Sequence, residues 1–459
     1  MKFLLPLLFT LFTACALTTS PPEKISLAEK ITPLFVKKLL SSDTKATHDM
    51  FNDNLKQKID LNALNKIQTD LIKEHGELSS ISQSFFRKNE AHFIIKMELS
   101  TIVLNIFVDT NQKISGFWQR YVEDRSERKK LIMLPSFDGF KIPIKITIPD
   151  EASNEDVKSV IIFIHGSGPN DYNGTDQKLF HHLAKGMNEN GIATVRYNKR
   201  SYELVRHQAF DPRYRSSKDY RKFGPSPYRH FIQDANQLVK HARALFPRAK
   251  IILLGHSQGA GIALQVAHVN RMVAGVVLVG FTTTPIYVSA FEQTLYRHMD
   301  SFYRLDQNRD NLLTTNELAA DNVIASQMTA IDLNHDKKLS RQEFKGAQFV
   351  NFIFDQDSTI NRLTIESLRL PSPVKILKRS KFKVVFFQGE MDHQTQSYHT
   401  KAIQNANNLK WKKSNFKFVY LPNLGHALNH QDKFIEFDYQ KVEQSTINRL
   451  VQELKFITD

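Results

Sequence analysis

The sequence is short of cysteine, and beyond its first residues it has no long hydrophobic run. Cys15 is the only cysteine among 459 residues, so no disulfide can form within one chain. No later stretch reaches the roughly 18 consecutive apolar residues that a membrane-spanning helix needs. Signatures of zinc fingers, homeodomains and RNA-binding domains are also missing, and the net charge of +15 is spread along the chain. We therefore expect a solvated basic surface and no nucleic-acid partner.

The N-terminal segment MKFLLPLLFTLFTACA places one lysine ahead of a short apolar run that ends in small residues. This pattern predicts a secretory signal peptide over residues 1–16. Two processing sites stay open. Ala-Cys-Ala at 14–16 fits a small-x-small cleavage site, whereas Phe-Thr-Ala-Cys at 12–15 resembles a bacterial lipobox, although phenylalanine stands where leucine is usual. The position of the only cysteine favours lipidation of Cys15 and a membrane tether. We expect an exported protein, in the periplasm or cell envelope as a lipoprotein, or else secreted.

Residues 24–122 are predicted to form a small α+β domain, because helical patterns come first and strand-like patterns follow. The strand-like runs are His92–Leu99, Ile102–Val108 and Lys113–Gln119. The run FVKKLLSSDTKATHDMFNDNLKQKI, followed by LIKEHGELSS, resembles the cone-shaped domain of nuclear-transport-factor-like proteins. The region holds no paired acids or metal-spaced ligands, so we expect it to serve in docking or stability.

From about residue 126 to the C-terminus, the pattern changes to buried strands separated by helical segments. A hairpin signal at Asp138-Gly139 lies between the first two strands. This alternation predicts a mostly parallel sheet with helices on both faces, and catalytic residues at the C-terminal ends of its strands. The predicted strands are Leu131–Leu134, Ile142–Ile148, Val160–Ile164, Ile192–Tyr197, Ile251–Leu254, Val276–Val279, Val384–Phe387 and Phe416–Leu421.

The strongest chemical signal is Gly-His-Ser-Gln-Gly at 255–259, which joins a buried strand directly to a helix. A strand, a tight turn and a helix are the context that a nucleophilic serine requires at this motif. Gly255 and Gly259 leave room for the strained turn, and Ser257 at its tip is the predicted nucleophile. The helix N-terminus behind Ser257 favours negative charge developing beside it.

A serine hydroxyl needs a base, and that base needs an orienting acid. In this kind of fold the order along the chain is serine, acid, histidine. Asp392 follows the next-to-last predicted strand in Gly-Glu-Met-Asp, and His426 follows the last one in Pro-Asn-Leu-Gly-His. We predict Asp392 as the acid and His426 as the base, with Glu390 and His430 as the competing choices.

Stabilisation of an oxyanion needs two preorganised backbone N–H groups. We assign one to Gln258, which follows the nucleophile, and the other to Ser167 in His-Gly-Ser-Gly at 165–168, the loop after strand Val160–Ile164. Taken in order, these motifs resemble the α/β-hydrolase family over about residues 126–459. The resemblance implies acyl transfer to water through an acyl-serine, with no cofactor for catalysis.

Three functions stay open at this stage. Esterases and serine peptidases of the aminopeptidase-like branch share the same residues, and we expect an esterase acting on a small or acyl substrate. A non-catalytic calcium-binding envelope protein is the third possibility. The sequence does not indicate an oligomeric state.

One segment departs from the family pattern. Many members carry an Arg-Gly-x-Gly-x-Ser run after the strand that here ends at Tyr197, but this chain reads Lys-Arg-Ser-Tyr at 199–202. An Arg- and Tyr-rich stretch follows up to Tyr228, and we predict a loop at the catalytic end of the sheet. Such a loop would contact an anionic or aromatic part of the substrate, or else be a solvated basic surface.

The distance along the chain between Ser257 and Asp392 predicts a cap insertion over about residues 282–380. Within it, residues 306–317 and 332–343 each place oxygen-bearing side chains at positions 1, 3 and 5, a hydroxyl at 9 and glutamate at 12. This order resembles the EF-hand, and we expect structural Ca²⁺ that rigidifies a helical cap, although both loops lack the glycine usual at position 6. The predicted ligands are Asp306, Asn308, Asp310, Leu312, Glu317, Asp332, Asn334, Asp336, Lys338 and Glu343.

Overall fold

The computed structural model describes residues 26–150, 152–174, 178–319, 325, 328, 331–344, 359–432 and 441–459. The predicted signal peptide with Cys15 and part of the predicted cap lie outside these residues. Among the described helices, none combines the length and the apolar character that a membrane span requires. The chain forms two compact units, of which the first comprises residues up to Ile132 together with Glu203–Tyr220. The second comprises Met133–Tyr202 and Arg221–Asp459.

The first unit begins with short helices and continues as an antiparallel sheet in the order β1-β2-β3-β4. Each of its first four helices starts after a side chain that accepts a hydrogen bond from the first helical turn, which satisfies a backbone donor that would otherwise lack a partner. The helices are Leu27–Leu40, Thr44–Asp49, Asp53–Lys58, Leu61–His75 and Arg125–Lys129. The strands are β1 (Leu78–Arg87), β2 (Glu90–Met97), β3 (Ser100–Val108) and β4 (Ile114–Asp124).

Strand β1 had no counterpart among the strands predicted for this region. Its sequence, LSSISQSFFR, is too polar to signal a buried strand, and its pairing with β2 is long-range information. The core of the unit lies between the helices and the sheet. There the ring of Phe117 packs against Phe35 and Phe51, with ring centres 5.3 and 5.8 Å apart.

The Arg- and Tyr-rich stretch after residue 200 is helical, so the prediction of a loop there was wrong. It contains helix Arg200–Phe210, a 3₁₀ turn over Pro212–Ser216 and helix Lys218–Phe223. Two of its charged residues are used inside the first unit, because Arg206 pairs with Glu123 and Glu203 accepts two hydrogen bonds of 2.8 Å from Arg128. These charges stabilise the unit and are not free for a substrate.

The second unit contains the predicted alternation of strands and helices as an eight-stranded mixed sheet in the order β14-β13-β10-β9-β7-β8-β6-β5. Strand β6 runs antiparallel to β8, and the pairs from β8 through β7, β9, β10 and β13 to β14 are parallel. The strands are, in chain order, β5 (Ile132–Pro135), β6 (Lys141–Thr147), β7 (Ser159–Ile164), β8 (Ala193–Tyr197), β9 (Lys250–His256), β10 (Val273–Val279), β11 (Leu312–Thr314), β12 (Lys338–Ser340), β13 (Lys383–Gly389) and β14 (Phe416–Leu421).

Helices pack on the sheet and bury its central strands. Strands β7 and β9 are almost wholly buried, as expected for parallel strands covered on both faces. Because β7, β9, β13 and β14 run in the same direction, the loops that follow them meet at one edge of the sheet. Outside the insertion between β10 and β13 and the Arg- and Tyr-rich stretch, the longer described helices of this unit are Leu179–Glu189, Pro227–Leu245, Gln258–Val269, Tyr398–Ala406 and Gln444–Thr458.

The insertion between β10 and β13 contains the two EF-hand-like loops. Strands β11 and β12 pair antiparallel, with Leu313 opposite Leu339, so the loops lie side by side. These leucines are fully buried in a small cluster with Phe302 and Phe344. The flanking helices are Ile286–Leu305, Thr315–Leu318, Thr359–Leu368 and Pro373–Arg379.

Candidate active site

Ser257 occupies the sharp turn between β9 and helix Gln258–Val269. Its backbone has φ +56° and ψ −123°, a conformation that is strained for a residue with a side chain. The turn is held by close packing, since a Cβ on Gly255 would lie 2.4 Å from the carbonyl oxygen of Gly259. A Cβ on Gly259 would lie 2.1 Å from the carbonyl oxygen of Ile164. The two glycines therefore allow the strand, the turn and the helix to approach closely enough to hold Ser257 at the tip.

Asp392 and His426 are in direct contact at the ends of β13 and β14. His426 Nδ1 lies 3.0 Å from Oδ1 and 2.9 Å from Oδ2 of Asp392, and the two residues are only 5% and 1% exposed. An acid on this side assigns the proton to Nδ1 and leaves the lone pair of Nε2 to act as a base. Four further donors contact the carboxylate: the Gln394 N–H at 2.9 Å, the Thr395 N–H at 2.8 Å, the Thr395 hydroxyl at 2.7 Å and the side-chain amide of Gln388 at 3.4 Å.

The electrostatics keep Asp392 ionised. Burial by itself raises the pKa of this carboxyl, but the adjacent imidazole of His426 and the hydrogen bonds from His426 and Thr395 outweigh it, so the pKa lies below its ordinary value. Thr395 was not found from the sequence, because its role depends on a turn that brings it over Asp392. A carboxylate with several fixed donors cannot rotate away from the histidine.

The competing acid and base lie elsewhere. Glu390 forms a half-exposed ion pair with Lys401 at 3.1 Å. His430 lies 3.1 Å from Asp432, also on the exposed surface. The structure thus brings together Asp392 and His426, and it leaves both competitors in contact with other partners.

The His-Gly-Ser-Gly loop follows β7 and faces Ser257. A Cβ on Gly166 would lie 3.2 Å from Cβ of Ser257, so the loop backbone passes directly beside the nucleophile. The side chain of Asn170 holds the loop by donating to the carbonyls of Ser167 at 2.9 Å and of Gly168 at 3.2 Å. Across from this loop, Gln258 is the first residue of its helix, where backbone N–H groups have no partner within the helix.

A pocket of about 100 Å³ connects these groups. It contains the nucleophile, the histidine and the loop that bears the predicted donor, and its apolar wall comes from Leu179 and Phe180. Gln394 also contributes to the lining and was not found from the sequence. The complete lining is His165, Gly166, Ser167, Asn170, Gly174, Leu179, Phe180, His256, Ser257, Gln394 and His426.

Two further histidines in the pocket lining form hydrogen bonds to backbone carbonyl groups. His165 Nε2 lies 2.6 Å from the carbonyl oxygen of Tyr197, and His256 Nε2 lies 2.9 Å from the carbonyl oxygen of His426. Burial lowers the pKa of each to about 3, so both rings are neutral and donate from Nε2 to these carbonyls. His256 thereby fixes the backbone of His426, which lines the same pocket as Ser257.

The two EF-hand-like loops have matching backbone conformations. The sixth residues, Asn311 and Lys337, have φ of +65° and +63° where glycine is usual. In the first loop, Asp306 accepts hydrogen bonds from the N–H groups of Asp310 at 3.1 Å and Asn311 at 3.0 Å. Asp332 does the same in the second loop, with Lys337 N–H at 2.9 Å. The carboxylate and amide oxygens are of the kind that Ca²⁺ prefers.

Over the part of the chain that the structure describes, no group of three or more His, Cys, Asp or Glu side chains lies close enough to hold a metal ion. The glutamates at position 12 connect the two ends of each loop. Glu317 accepts from Thr314 N–H at 2.9 Å and from Gln307 N–H at 3.1 Å, and Glu343 accepts from Ser340 N–H at 2.9 Å and from Leu333 N–H at 3.1 Å. The carboxylate and amide oxygens of the two loops have the chemistry that fits a calcium ion.

Comparisons with known proteins find similarity to serine aminopeptidases and esterases. Residues 155–345 match the model of a family described as serine aminopeptidase, S33. Esterase EstD of Thermotoga maritima is 24% identical over 275 residues, which cover 57% of this chain and 62% of that protein. Est1E from Butyrivibrio proteoclasticus is 15% identical with a TM-score of 0.41, and the match covers 72% of this chain and all of that one.

A further solved structure, an esterase from Exiguobacterium antarcticum, is 14% identical with a TM-score of 0.38. That match covers 70% of this chain and 98% of the esterase chain. The family match includes both the His-Gly-Ser-Gly loop and the turn at Ser257. Residues 155–345 are thus similar to that family, and they contain strands β7 to β10 of the mixed sheet and the strained turn that follows β9.

Proposed function

We propose that the protein hydrolyses a carboxylic ester through an acyl-serine intermediate, with Ser257 as nucleophile, His426 as base and Asp392 as orienting acid. The observation that carries this proposal is the buried contact of 2.9 Å between His426 Nδ1 and Asp392, at the same pocket as the strained Ser257. A histidine held by an ionised acid beside a nucleophilic serine supports acyl transfer.

The proposed reaction has two matching halves. His426 Nε2 accepts the proton of Ser257 as Oγ attacks the ester carbonyl carbon, and the oxyanion that forms is stabilised by the N–H groups of Gln258 and Ser167. The C–O bond to the leaving alcohol then breaks, and the alkoxide takes the proton from His426. In the second half a water molecule attacks the acyl carbon and gives a proton to His426. The bond between the acyl carbon and Ser257 Oγ then breaks as Oγ takes that proton, which releases the acid and restores free Ser257.

A serine peptidase is the second candidate, and the description of the matching family as serine aminopeptidase favours it. The curated relative from Thermotoga maritima is named an esterase, which favours the ester. Hydrolysis of an ester and hydrolysis of an amide both proceed through a tetrahedral intermediate on the serine. The residues of the pocket therefore do not distinguish an esterase from a peptidase. The third candidate, a calcium-binding envelope protein without catalysis, is opposed by the contact between Asp392 and His426.

Fluorophosphonate labelling tests the nucleophile directly. The wild type should label, Ser257→Ala should not, and Ser445→Ala on the exposed face of the C-terminal helix should label like the wild type. Equal labelling of wild type and Ser257→Ala would reject the proposal. A panel of acyl esters and aminoacyl amides then distinguishes an esterase from a peptidase by the ratio of their kcat/KM values.

We also propose that loops 306–317 and 332–343 bind Ca²⁺ and stabilise the cap. The paired strands β11 and β12 and the positive φ at the sixth position of each loop support this proposal. Because a ligand that binds only the folded state raises the melting temperature, Ca²⁺ should raise Tm and a chelator should lower it. Glu317→Gln combined with Glu343→Gln should abolish both effects, and an identical Tm with calcium and with chelator would exclude a structural ion.

We propose further that the protein is exported and lipidated at Cys15. The apolar N-terminal segment and the position of the only cysteine support this. Metabolic labelling with a fatty acid should mark the wild type and not Cys15→Ser. Labelling of neither, together with recovery of the mature protein in the soluble fraction, would favour simple cleavage of a signal peptide.

A further inference from the structure

Lys199 is a buried cation that the proposed mechanism leaves unused. It lies just after β8, is 2% exposed, and its Nζ donates to the carbonyl oxygen of Gly166 at 2.5 Å and to Oε1 of Gln258 at 2.9 Å. The ring centre of Phe231 lies 4.2 Å from Nζ on another side. Burying an ammonium costs several kcal/mol unless its hydrogen bonds are satisfied, so these contacts have to offset a large penalty.

Each polar contact of this ammonium is made next to a proposed oxyanion donor. The carbonyl of Gly166 belongs to the same peptide group as the N–H of Ser167. A planar trans peptide directs its carbonyl and its N–H to opposite sides, so holding the carbonyl also fixes the direction of the N–H. The second contact is with the side chain of Gln258, whose own backbone N–H is the other donor.

The backbone of Lys199 holds the same loop. Its N–H donates to the carbonyl oxygen of Asn170 at 2.9 Å, and the side chain of Asn170 in turn donates to the carbonyls of Ser167 and Gly168. Ser201 adds a hydrogen bond of 3.1 Å from its hydroxyl to the Gly168 carbonyl. Residues 199–202, which depart from the glycine-rich pattern of α/β hydrolases, therefore hold the His-Gly-Ser-Gly loop by hydrogen bonds to its carbonyl groups.

We propose that Lys199 is a positioning residue of the oxyanion hole, which orients and polarises the Gly166–Ser167 peptide and joins it to Gln258. The inference rests on the proposed function, because it concerns how the same site stabilises its transition state. A positive charge on a carbonyl oxygen makes the N–H of that peptide a stronger donor, since hydrogen bonds in a chain polarise one another.

The protonation state of Lys199 gives the inference a measurable signature. Burial lowers the pKa of Lys199 to about 7, so the ammonium and the neutral amine are both accessible near neutral pH. Among the titratable groups around it, His165 is held neutral because burial lowers its pKa to about 3, and burial raises the pKa of Tyr197. The carboxylate of Asp234, on the helix that carries Phe231, is engaged by Arg200 at 2.7 and 2.9 Å.

The test compares the wild type with Lys199→Met and Lys199→Arg in steady-state ester hydrolysis across pH. Lys199→Met keeps the length of the side chain but has neither charge nor donor, and kcat should fall about 100-fold, as when an oxyanion donor is lost, with KM changed less than about threefold. In the wild type, kcat should decline to a lower plateau as pH rises through about 7. Lys199→Arg keeps its charge at every pH and should lack that decline.

The outcomes separate the two proposals. If wild type and Ser257→Ala hydrolyse the ester equally, the proposed function fails. If the wild type is active and a folded Lys199→Met keeps kcat within about threefold, the role of Lys199 fails alone, since a lost oxyanion interaction costs far more. If Lys199→Met does not fold, Gln258→Met decides, because it removes only the side-chain acceptor. Gln258→Met should lower kcat and shift the pH at which kcat declines relative to the wild type. A pH profile of kcat identical to that of the wild type would overturn the inference.

Discussion

Replacement of Asp392 by asparagine tests the geometry of the site most sharply. The two carboxylate oxygens accept hydrogen bonds from His426 Nδ1 and from the Gln394 and Thr395 N–H groups, in a space that is almost closed to solvent. Asparagine has the same shape, but its amide nitrogen is a donor and its oxygen is occupied by the backbone N–H groups. His426 Nδ1 would then become an acceptor, and the proton would move to Nε2, where the base is needed.

The expected loss in kcat for Asp392→Asn is about 10⁴-fold, because a histidine in the wrong tautomer cannot accept the proton of the serine. This corresponds to about 5 kcal/mol in the activation barrier. The measurement is kcat/KM with an activated ester, together with the rate of fluorophosphonate labelling. The labelling rate should fall in parallel because it depends on the same base.

Glu390→Gln is the matched control, since it makes the same chemical change two residues away at a half-exposed ion pair. Surface ion pairs contribute about 0–1 kcal/mol, so its activity and melting temperature should stay close to those of the wild type. If Asp392→Asn keeps a tenth or more of the activity (a loss of about 1.4 kcal/mol or less) while Glu390→Gln loses it, the assignment of the acid is wrong.

Three further predictions follow from other parts of the molecule. Gly280→Ala should lower kcat, because the added Cβ would lie 2.8 Å from the Thr395 hydroxyl and 3.0 Å from the imidazole of His426. Gly139→Ala is the control, since Gly139 also has a positive φ but no atom within 4 Å of the added Cβ, and it should affect only stability. Equal activity of the two variants would contradict this prediction. Lys337→Gly should raise the affinity of the second loop for Ca²⁺, measured by calorimetry, because glycine adopts the observed φ of +63° without strain, and a weaker site would speak against the loop geometry. The urea concentration at the unfolding midpoint should decrease as the pH is lowered from about 7 to about 5. His165 and His256 have folded-state pKa values of about 3, below their ordinary value, so the unfolded chain binds more protons than the folded one in this pH range. A constant midpoint would refute their burial as neutral rings.

Local patterns in the sequence were sufficient to predict the sheet of the second unit and the motifs at its edge. A buried strand that runs into a glycine-flanked serine and then a helix has few alternatives, because each of those steps is determined by residues next to one another. The same reasoning missed β1 and the helices after residue 200. Polar strands and charged helices take their conformation from partners far away in the chain, such as Arg128 for Glu203.

The sequence by itself determined which residue types stand at the ends of β7, β9, β13 and β14, since the strand signals and the turn residues are local. It left the choice between Asp392 and Glu390 open, because both lie in the same loop. Only the tertiary structure places Asp392 against His426, with Thr395 closing over it, and leaves Glu390 at the surface. The burial of Lys199 against the oxyanion loop is likewise a consequence of packing, because it requires β8 and the helices that carry Phe231 and Gln258 to meet around one ammonium.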